Sequence, residues 1–210
     1  MKNSNRNFIN LYQELLKKHG YQGWWPIKRI YHPNNYNSPR NEKEKFEIMV
    51  GTILMQNTNW KNVEKSLDNL HKNNLINPKS IISHEELSSY IKSSGYYNQK
   101  TKKLKELAEF YLKNKSEIPT RENLLEIWGV GKETADSILL YAYKQPIFVI
   151  DTYTKRILKG HLNIEEDSYD SIQELFHENL PKDYKLFNEF HALIVAEGKL
   201  LNSVSKPISF

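Results

Sequence analysis

Two glycines one residue apart, Gly129 and Gly131, lead into the polar run Lys132-Glu133-Thr134. A turn of this kind that opens a helix can bind phosphate, because the first backbone N–H groups of the helix lack internal partners. A Walker motif requires a hydroxyl residue directly after its lysine, but Glu133 follows Lys132 here. A dinucleotide fingerprint requires a third glycine, which is absent. The turn therefore does not fit a nucleotide-binding loop.

A helical hairpin explains the same turn better. Leu124 and Ile127 precede it at helical spacing, and Ala135, Ile138 and Leu139 follow it. Close glycines let the backbone turn sharply and approach another surface. Two interpretations stay open from the turn alone: a contact for a phosphate group, or an ordinary packing corner between helices.

A second chemically capable residue, Asp151, ends the apolar run of residues 146–150. The run has the composition of a strand, but nothing else in the chain resembles a partner strand, so we expect an extended loop. "TYTKRIL" follows the aspartate with helical character, and aspartate is a preferred helix N-cap. A carboxylate is thus predicted at the entrance of a helix.

Composition limits the chemistry available to the chain. The 210 residues carry a net charge of +5 and a pI near 9.1, which suits a polyanion without proving one. There is no cysteine, so thiolate zinc sites and iron–sulfur clusters are excluded, and the seven histidines lack metal-ligand spacing. No apolar run reaches the ~18 residues of a membrane span, and no signal core opens the chain, so we expect a cytoplasmic protein.

Helical periodicity predicts about ten helices and no sheet. The better-defined helices are expected over residues 5–19, 42–56, 59–72, 98–114, 121–127 and 132–143. Ser83, with Glu86 three residues later, is predicted as a capping box for a helix ending near Gly95. Further caps are expected at Thr120, Ser168 and Asp183. Residues 21–40, with three prolines, form a long irregular segment of the kind that is usually functional or a linker.

Several of these segments together resemble the endonuclease III superfamily of DNA glycosylases. "LLEIWGVGKETADSILLYAY" and "PIFVIDTYTKRIL" resemble its helix-hairpin-helix and the aspartate signature that follows. "EIMVGTILMQNTNWKNVEKSLDNL", "SGYYNQKTKKLKELAEFY" and "FNEFHALIVAEGK" extend the resemblance over about residues 42–200. It implies an all-α fold with two helical lobes and a DNA and base cleft between them. Residues 42–145 would form a six-helix lobe ending in the hairpin, and residues 1–41 with 146–210 the other.

Departures from the family pattern narrow the resemblance. Family members that also cleave the strand carry a Schiff-base lysine two residues after the second glycine, where this chain has Glu133. The cysteines of the family's iron–sulfur cluster are absent, and only Pro146 remains of the loop before the aspartate. "WWP", "KFE", "SGYYNQK" and "GVGKET" occur in the order found in the endonuclease III-like 3-methyladenine DNA glycosylases. The resemblance thus implies base removal without lyase chemistry.

The resemblance also assigns a pocket. Asp151 would stabilise the oxocarbenium-like sugar or activate water against it. Trp24, Trp25 and Phe46 would supply flat faces for a flipped, positively charged base. Without the resemblance, Trp24 and Trp25 would be read as loop aromatics that pack on the core. The remaining pocket positions are Pro26 and Lys199, although Lys199 reads equally well as a solvated helix charge.

Contacts with DNA are implied at two places. Gln56, with Asn57 beside it, would enter the gap left by the flipped nucleotide, or would simply be a polar helix end. The hairpin residues Gly129, Gly131, Lys132 and Thr134 would hold a backbone phosphate without reading sequence. The resemblance adds a structural monovalent cation, K⁺ or Na⁺, on the backbone carbonyls of Leu125, Ile127 and Val130.

The expected function is therefore monofunctional excision of alkylated purines, chiefly 3-methyladenine, from double-stranded DNA in base excision repair. We expect a monomer associated with the nucleoid, with no membrane partner and no cofactor required for the chemistry. The alternatives are a glycosylase for another lesion, such as mismatched thymine or an oxidised pyrimidine, a non-catalytic helix-hairpin-helix DNA-binding protein, and a lyase acting through Lys132.

Overall fold

The computed structural model describes residues 2–114 and 117–204, and within them the fold is all-α with no strand, as predicted. Eleven α-helices span these residues: α1 Lys2–His19, α2 Glu42–Met55, α3 Trp60–Lys72, α4 Pro78–Ser83, α5 Leu87–Tyr90, α6 Tyr97–Lys113, α7 Arg121–Leu125, α8 Lys132–Ser137, α9 Thr152–Ile157, α10 Tyr169–Asn179 and α11 Tyr184–Val204. A 3₁₀ turn at Lys92–Ser94 precedes α6. Helices α8 and α9 each continue as a π-helical turn, Ile138–Ala142 and Leu158–Leu162.

The chain divides into two compact units. The terminal unit takes its described residues from Met1–Trp24, Tyr31–Tyr36 and Lys144–Phe210, and the central unit consists of Trp25–Ile30 and the described part of Asn37–Tyr143. The sequence predicted that residues 1–41 and 146–210 would together form one lobe. Residues 25–30 and 37–41 instead cluster with the central unit, and residues 144–145 with the terminal unit. Trp25 packs into the core of the central unit, edge-on against Trp60.

The central unit is organised around α2. Ten of its residues are buried, including a run from Phe46 to Leu54, so α2 contacts its neighbours on all sides. Trp25 lies directly over Gly51, where an added Cβ would approach the indole Cζ2 to 2.9 Å. Lys100 of α6 is 2% exposed and donates to the carbonyls of Leu54 at 2.9 Å and Ser94 at 2.6 Å. Burial, with the nearby charge of Lys103, lowers the pKa of Lys100 to about 8.

The terminal unit has an aromatic core. Phe148 and Phe176 stack with ring centroids 3.6 Å apart, and Phe8 meets Phe176 edge-on at 4.9 Å. The run at residues 146–150 is an extended loop, as predicted. Its backbone bonds to side chains instead of to a strand: the Phe148 N–H donates to His177 Nε2 at 3.0 Å, and Gln173 Nε2 donates to the Phe148 carbonyl at 2.7 Å.

Four predicted caps are confirmed and one is wrong. Thr120 and Asn123 form a reciprocal capping box at α7, and Asp151, Ser168 and Asp183 accept hydrogen bonds from the first turns of α9, α10 and α11. Ser83 does not open a helix. Asn77 and Pro78 already start α4, which ends at Ser83, and Glu86 makes no capping hydrogen bond.

Candidate functional site

The hairpin connects α7 to α8 through a turn that requires glycine. Gly129 has φ +81°, and a Cβ there would lie 2.5 Å from Lys103 Cε. Gly131 is the N-cap of α8. Arg121 fixes the two helices by donating to both carboxylate oxygens of Asp136, at 2.7 and 3.0 Å, and Asp136 is fully buried. This ion pair was not predicted from the sequence, because its members lie 15 residues apart on different helices.

Gln56 lies against this hairpin. Its Nε2 donates to the Gly129 carbonyl at 3.1 Å and to Thr134 Oγ1 at 3.0 Å. Lys103 Nζ donates to its Oε1 at 2.6 Å. The side chain thus joins the end of α2 to α6 and the hairpin. Asn57 beside it is exposed with φ +52°, which puts it at the tip of the turn into α3. The predicted roles of both residues in filling a gap in DNA stay predictions.

Asp151 is held rigidly at the start of α9. Its Oδ1 accepts from the Thr154 backbone N–H at 2.7 Å and from Thr154 Oγ1 at 2.9 Å. The Thr154 hydroxyl oxygen accepts in return from the Asp151 N–H at 3.3 Å, which completes a capping box. The other oxygen, Oδ2, lies 3.8 Å from His191 Nε2. One carboxylate oxygen therefore caps the helix and the second faces α11.

α11 supplies two ionisable groups near this carboxylate. Burial lowers the pKa of His191, and the charge of Lys199 lowers it further, whereas the charge of Asp151 acts to raise it. Desolvation also lowers the pKa of Lys199, again against the effect of Asp151. The structure thus brings the predicted Asp151 and Lys199 together and adds His191. The only sequence signal for His191 was a polar residue within the apolar run of α11.

A glycine sets how closely α9 and α11 approach. Gly198, next to Lys199, lies against the ring of Tyr153, two residues after Asp151. A Cβ at Gly198 would meet Tyr153 Cδ1 at 2.3 Å and its Cβ at 2.9 Å. The second contact is close to the α9 backbone and cannot be relieved by rotating a flexible tip.

The predicted pocket residues have different environments. Trp25 is 7% exposed and packs edge-on against Trp60 with centroids 5.2 Å apart, and Phe46 is 1% exposed and lies 5.0 Å from Tyr111. Pro26 is buried beside Trp25. These three belong to the central unit, whereas Trp24 is half-buried in the terminal unit and meets Tyr31 edge-on at 6.0 Å.

A buried carboxylate orders the segment that carries Trp24. Glu189 of α11 accepts from the Gln22 N–H at 2.6 Å and from the Tyr36 hydroxyl at 2.8 Å, so it holds both ends of the segment. Burial raises the pKa of Glu189, although those two hydrogen bonds oppose the shift. Within the segment, the His32 N–H donates to the carbonyl of Gly23 at 3.1 Å. Gly23 has φ +71°, a backbone conformation that favours glycine and permits this close approach.

The predicted cation carbonyls lie at the end of α7, for Leu125, and in the turn that follows, for Ile127 and Val130. The Ile127 carbonyl accepts from the Val130 N–H at 3.0 Å, which leaves its second lone pair available, so the turn is compatible with a monovalent cation. Among the described residues, no group of three or more His, Asp or Glu side chains could hold a metal ion. No described helix is long and apolar enough to cross a membrane.

Comparison with known proteins gives a consistent family. Residues 50–182 match the HhH-GPD superfamily of base excision DNA repair proteins. A Methanocaldococcus jannaschii protein named as a candidate DNA repair glycosylase is 41% identical and covers 90% of this chain and 86% of its own length. Endonuclease III of Thermotoga maritima is 28% identical over 81% of each chain. The crystal structure of an H. pylori 3-methyladenine DNA glycosylase bound to 1,N6-ethenoadenine superposes with a TM-score of 0.75 and 32% identity, over 94% of this chain and 98% of that one.

Proposed function

This chain belongs to the HhH-GPD superfamily of base excision DNA repair proteins and is a DNA glycosylase, and from that premise we propose that it removes alkylated purines, chiefly 3-methyladenine, without cleaving the strand. The observation that carries the proposal is the carboxylate of Asp151, held in place at the start of α9. The chain also has an acid, Glu133, at the position where the family resemblance places the amine of strand-cleaving members. The similarity to the H. pylori enzyme over nearly both whole chains supports the choice of substrate.

The proposed reaction is hydrolysis of the N-glycosidic bond. An alkylated purine leaves easily because bond cleavage neutralises its positive charge, so the enzyme needs little leaving-group assistance. As the bond breaks, the sugar gains oxocarbenium character, which Asp151 Oδ2 stabilises. Water then adds at C1′ and loses its proton to a nearby base. His191, with Nε2 3.8 Å from Asp151 Oδ2, is proposed to accept that proton beside the carboxylate.

Base recognition is proposed to depend on aromatic surface. Trp24 is half-buried, and the hydrogen bonds of Glu189 to Gln22 and Tyr36 order the segment that carries it. The position of the Trp24 ring is therefore set before a base binds. A flipped base that carries positive charge gains up to ~2 kcal/mol from a desolvated aromatic face. The pocket roles of Trp25, Pro26 and Phe46 stay predictions. So does the role of Lys199, whose lowered pKa makes its charge easier to lose near the substrate.

The hairpin is proposed to hold a DNA phosphate. Lys132 is exposed in the first turn of α8, and Thr134 lies below it, bonded to Gln56. A monovalent cation on the carbonyls of Leu125, Ile127 and Val130 would add positive charge beside that phosphate. Such contacts set the register of the protein on DNA and are independent of base identity.

The decisive experiment scores base release and strand cleavage separately on duplexes containing 3-methyladenine or thymine glycol. We expect release of 3-methyladenine with intact abasic strands. Asp151→Asn should lower the rate at least about a hundredfold, because the charge is lost. Asparagine caps helices as well as aspartate, so thermal unfolding and DNA binding should stay unchanged.

Other outcomes identify the alternatives. Release from thymine-glycol DNA alone would point to a glycosylase for another lesion. DNA binding that ignores damage, with no base released and no effect of Asp151→Asn, would indicate a non-catalytic binding protein.

A further inference from the structure

The hairpin turn carries an exposed tryptophan. Trp128 lies between the buried Ile127 and Gly129, and it is 46% exposed. A large aromatic ring in a turn gains more from contact with apolar surface than from water. The side chain thus exposes apolar surface beside Gly129 and Gly131, where the phosphate contact is predicted.

Two consecutive lysines of α6 lie against this turn. Lys102 Nζ is 4.2 Å from the centroid of the Trp128 ring. Lys103 extends its alkyl stem over Gly129 and bonds to Gln56. Lys102 is exposed and makes no ion pair with any described residue, so its charge is oriented by the indole instead of being neutralised by a carboxylate.

The surface matches the alternating chemistry of a DNA strand. A strand backbone presents an anionic phosphate and then the apolar face of a deoxyribose, in repeating order. An oriented ammonium beside an exposed indole complements one such repeat. The positively charged Lys103 lies beside this pair, with its stem over Gly129.

We propose that Trp128 and Lys102 form a second contact for the DNA backbone next to the hairpin, with the indole against a deoxyribose and the ammonium on the adjoining phosphate. The contact rests on DNA binding by this chain and not on base excision. It acts equally on damaged and undamaged duplexes, because neither group reads a base edge.

The test measures binding of an undamaged duplex by fluorescence anisotropy over a range of salt concentrations. Lys102→Met retains the alkyl stem but removes one phosphate contact, so the slope of log K against log salt should become shallower by about 0.9. Trp128→Ala should weaken binding about fivefold with little change in slope, because a packing contact releases no counterion. The double variant should lose less than the sum, since Trp128 orients Lys102.

Matched controls come from the same helix. Lys113→Met removes an exposed lysine about 16 Å further along α6, and Leu112→Ala removes an exposed apolar side chain. Both should bind as the unchanged chain does. If Trp128→Ala fails to fold, Trp128→Phe replaces it: fluorescence of the unchanged chain should respond to duplex DNA more than that of the Phe variant.

An unchanged salt slope in Lys102→Met, together with no Trp128-dependent fluorescence response, would overturn the proposal. Tighter binding of single strands than of duplex through Trp128 would overturn it too, because that would indicate base stacking. Loss of excision with these binding results intact would refute the glycosylase mechanism but leave this contact in place.

Discussion

Asp151 uses its two carboxylate oxygens differently. Oδ1 accepts two hydrogen bonds from Thr154 and is committed to the helix cap, so Oδ2 is the oxygen directed toward His191 and available for the proposed chemistry. Helix capping and charge stabilisation are compatible in one side chain. The cap also removes rotational freedom that would otherwise have to be lost when substrate binds.

We propose that position 133 distinguishes hydrolysis from strand cleavage. Glu133 is exposed in the first turn of α8, at the position that the family resemblance assigns to the amine of a lyase. We expect Glu133→Lys to create a covalent adduct with damaged DNA that borohydride traps, because an amine then attacks C1′ in place of water. The unchanged chain should give no adduct on denaturing gels.

Lys132→Met in the Glu133→Lys background is the control for that experiment. One step along a helix turns a side chain by ~100°, so the adduct should persist without Lys132. An adduct formed by the unchanged chain and abolished by Lys132→Met would show that Lys132 is the amine and that the protein is a lyase.

Helix α11 carries two buried acids, Glu189 and Glu197, whose pKa values are shifted in opposite directions. Glu189 holds the segment around Trp24, and burial raises its pKa. Burial also acts to raise the pKa of Glu197, but hydrogen bonds and charges from Lys18 and His19 at the end of α1 outweigh it, and the pKa is lowered. The pair allows a matched test on one helix.

The two acids should give opposite pH dependences of stability. The raised pKa of Glu189 means that its contribution is fully present below the ordinary value of 4.5 and is lost as pH rises through the folded-state value. The lowered pKa of Glu197 means that its contribution is present above 4.5 and is lost as pH falls through its folded-state value.

Urea unfolding of Glu189→Gln and Glu197→Gln between pH 3 and pH 8 checks these signs. Relative to the unchanged chain, Glu189→Gln should become less destabilising as pH rises above about 4.5. Glu197→Gln should instead become less destabilising as pH falls below about 4.5. Parallel pH profiles for the two variants would contradict the assignment.

Local spacing predicted the elements better than it predicted their contacts. The caps at Thr120 and Asp151 follow from near-neighbour chemistry, because a cap oxygen and the N–H that donates to it lie within one helical turn. The bonds of Gln56 to the hairpin and of Glu189 to Gln22 join residues far apart in sequence, which no local pattern specifies. Ser83 failed because Asn77 and Pro78 supply a stronger start earlier.

The net charge and composition of the whole molecule lead to predictions on how metal ions affect base release and DNA binding. The chain has net charge +5 and no cysteine, so its reaction should not depend on thiol redox state. We expect EDTA to leave base release unchanged. Replacing K⁺ and Na⁺ by a bulky organic cation at constant ionic strength should weaken DNA binding severalfold, because screening is preserved while the proposed hairpin cation is removed.

Titration of K⁺ back into the organic-cation buffer is the control, and it should restore the affinity at constant ionic strength. Equal dissociation constants with and without alkali-metal cations would mean that the hairpin binds phosphate without a cation.

Gly198 has a consequence for how this enzyme could be redesigned. Its missing side chain lets Tyr153 lie against α11, and that contact fixes the separation of the helices that carry Asp151 and Lys199. The spacing of acid and amine thus depends on Gly198, where the ring of Tyr153 fills the space that a side chain would need. A library that varies position 198 should therefore return glycine alone among its active members, because any Cβ there would meet Tyr153.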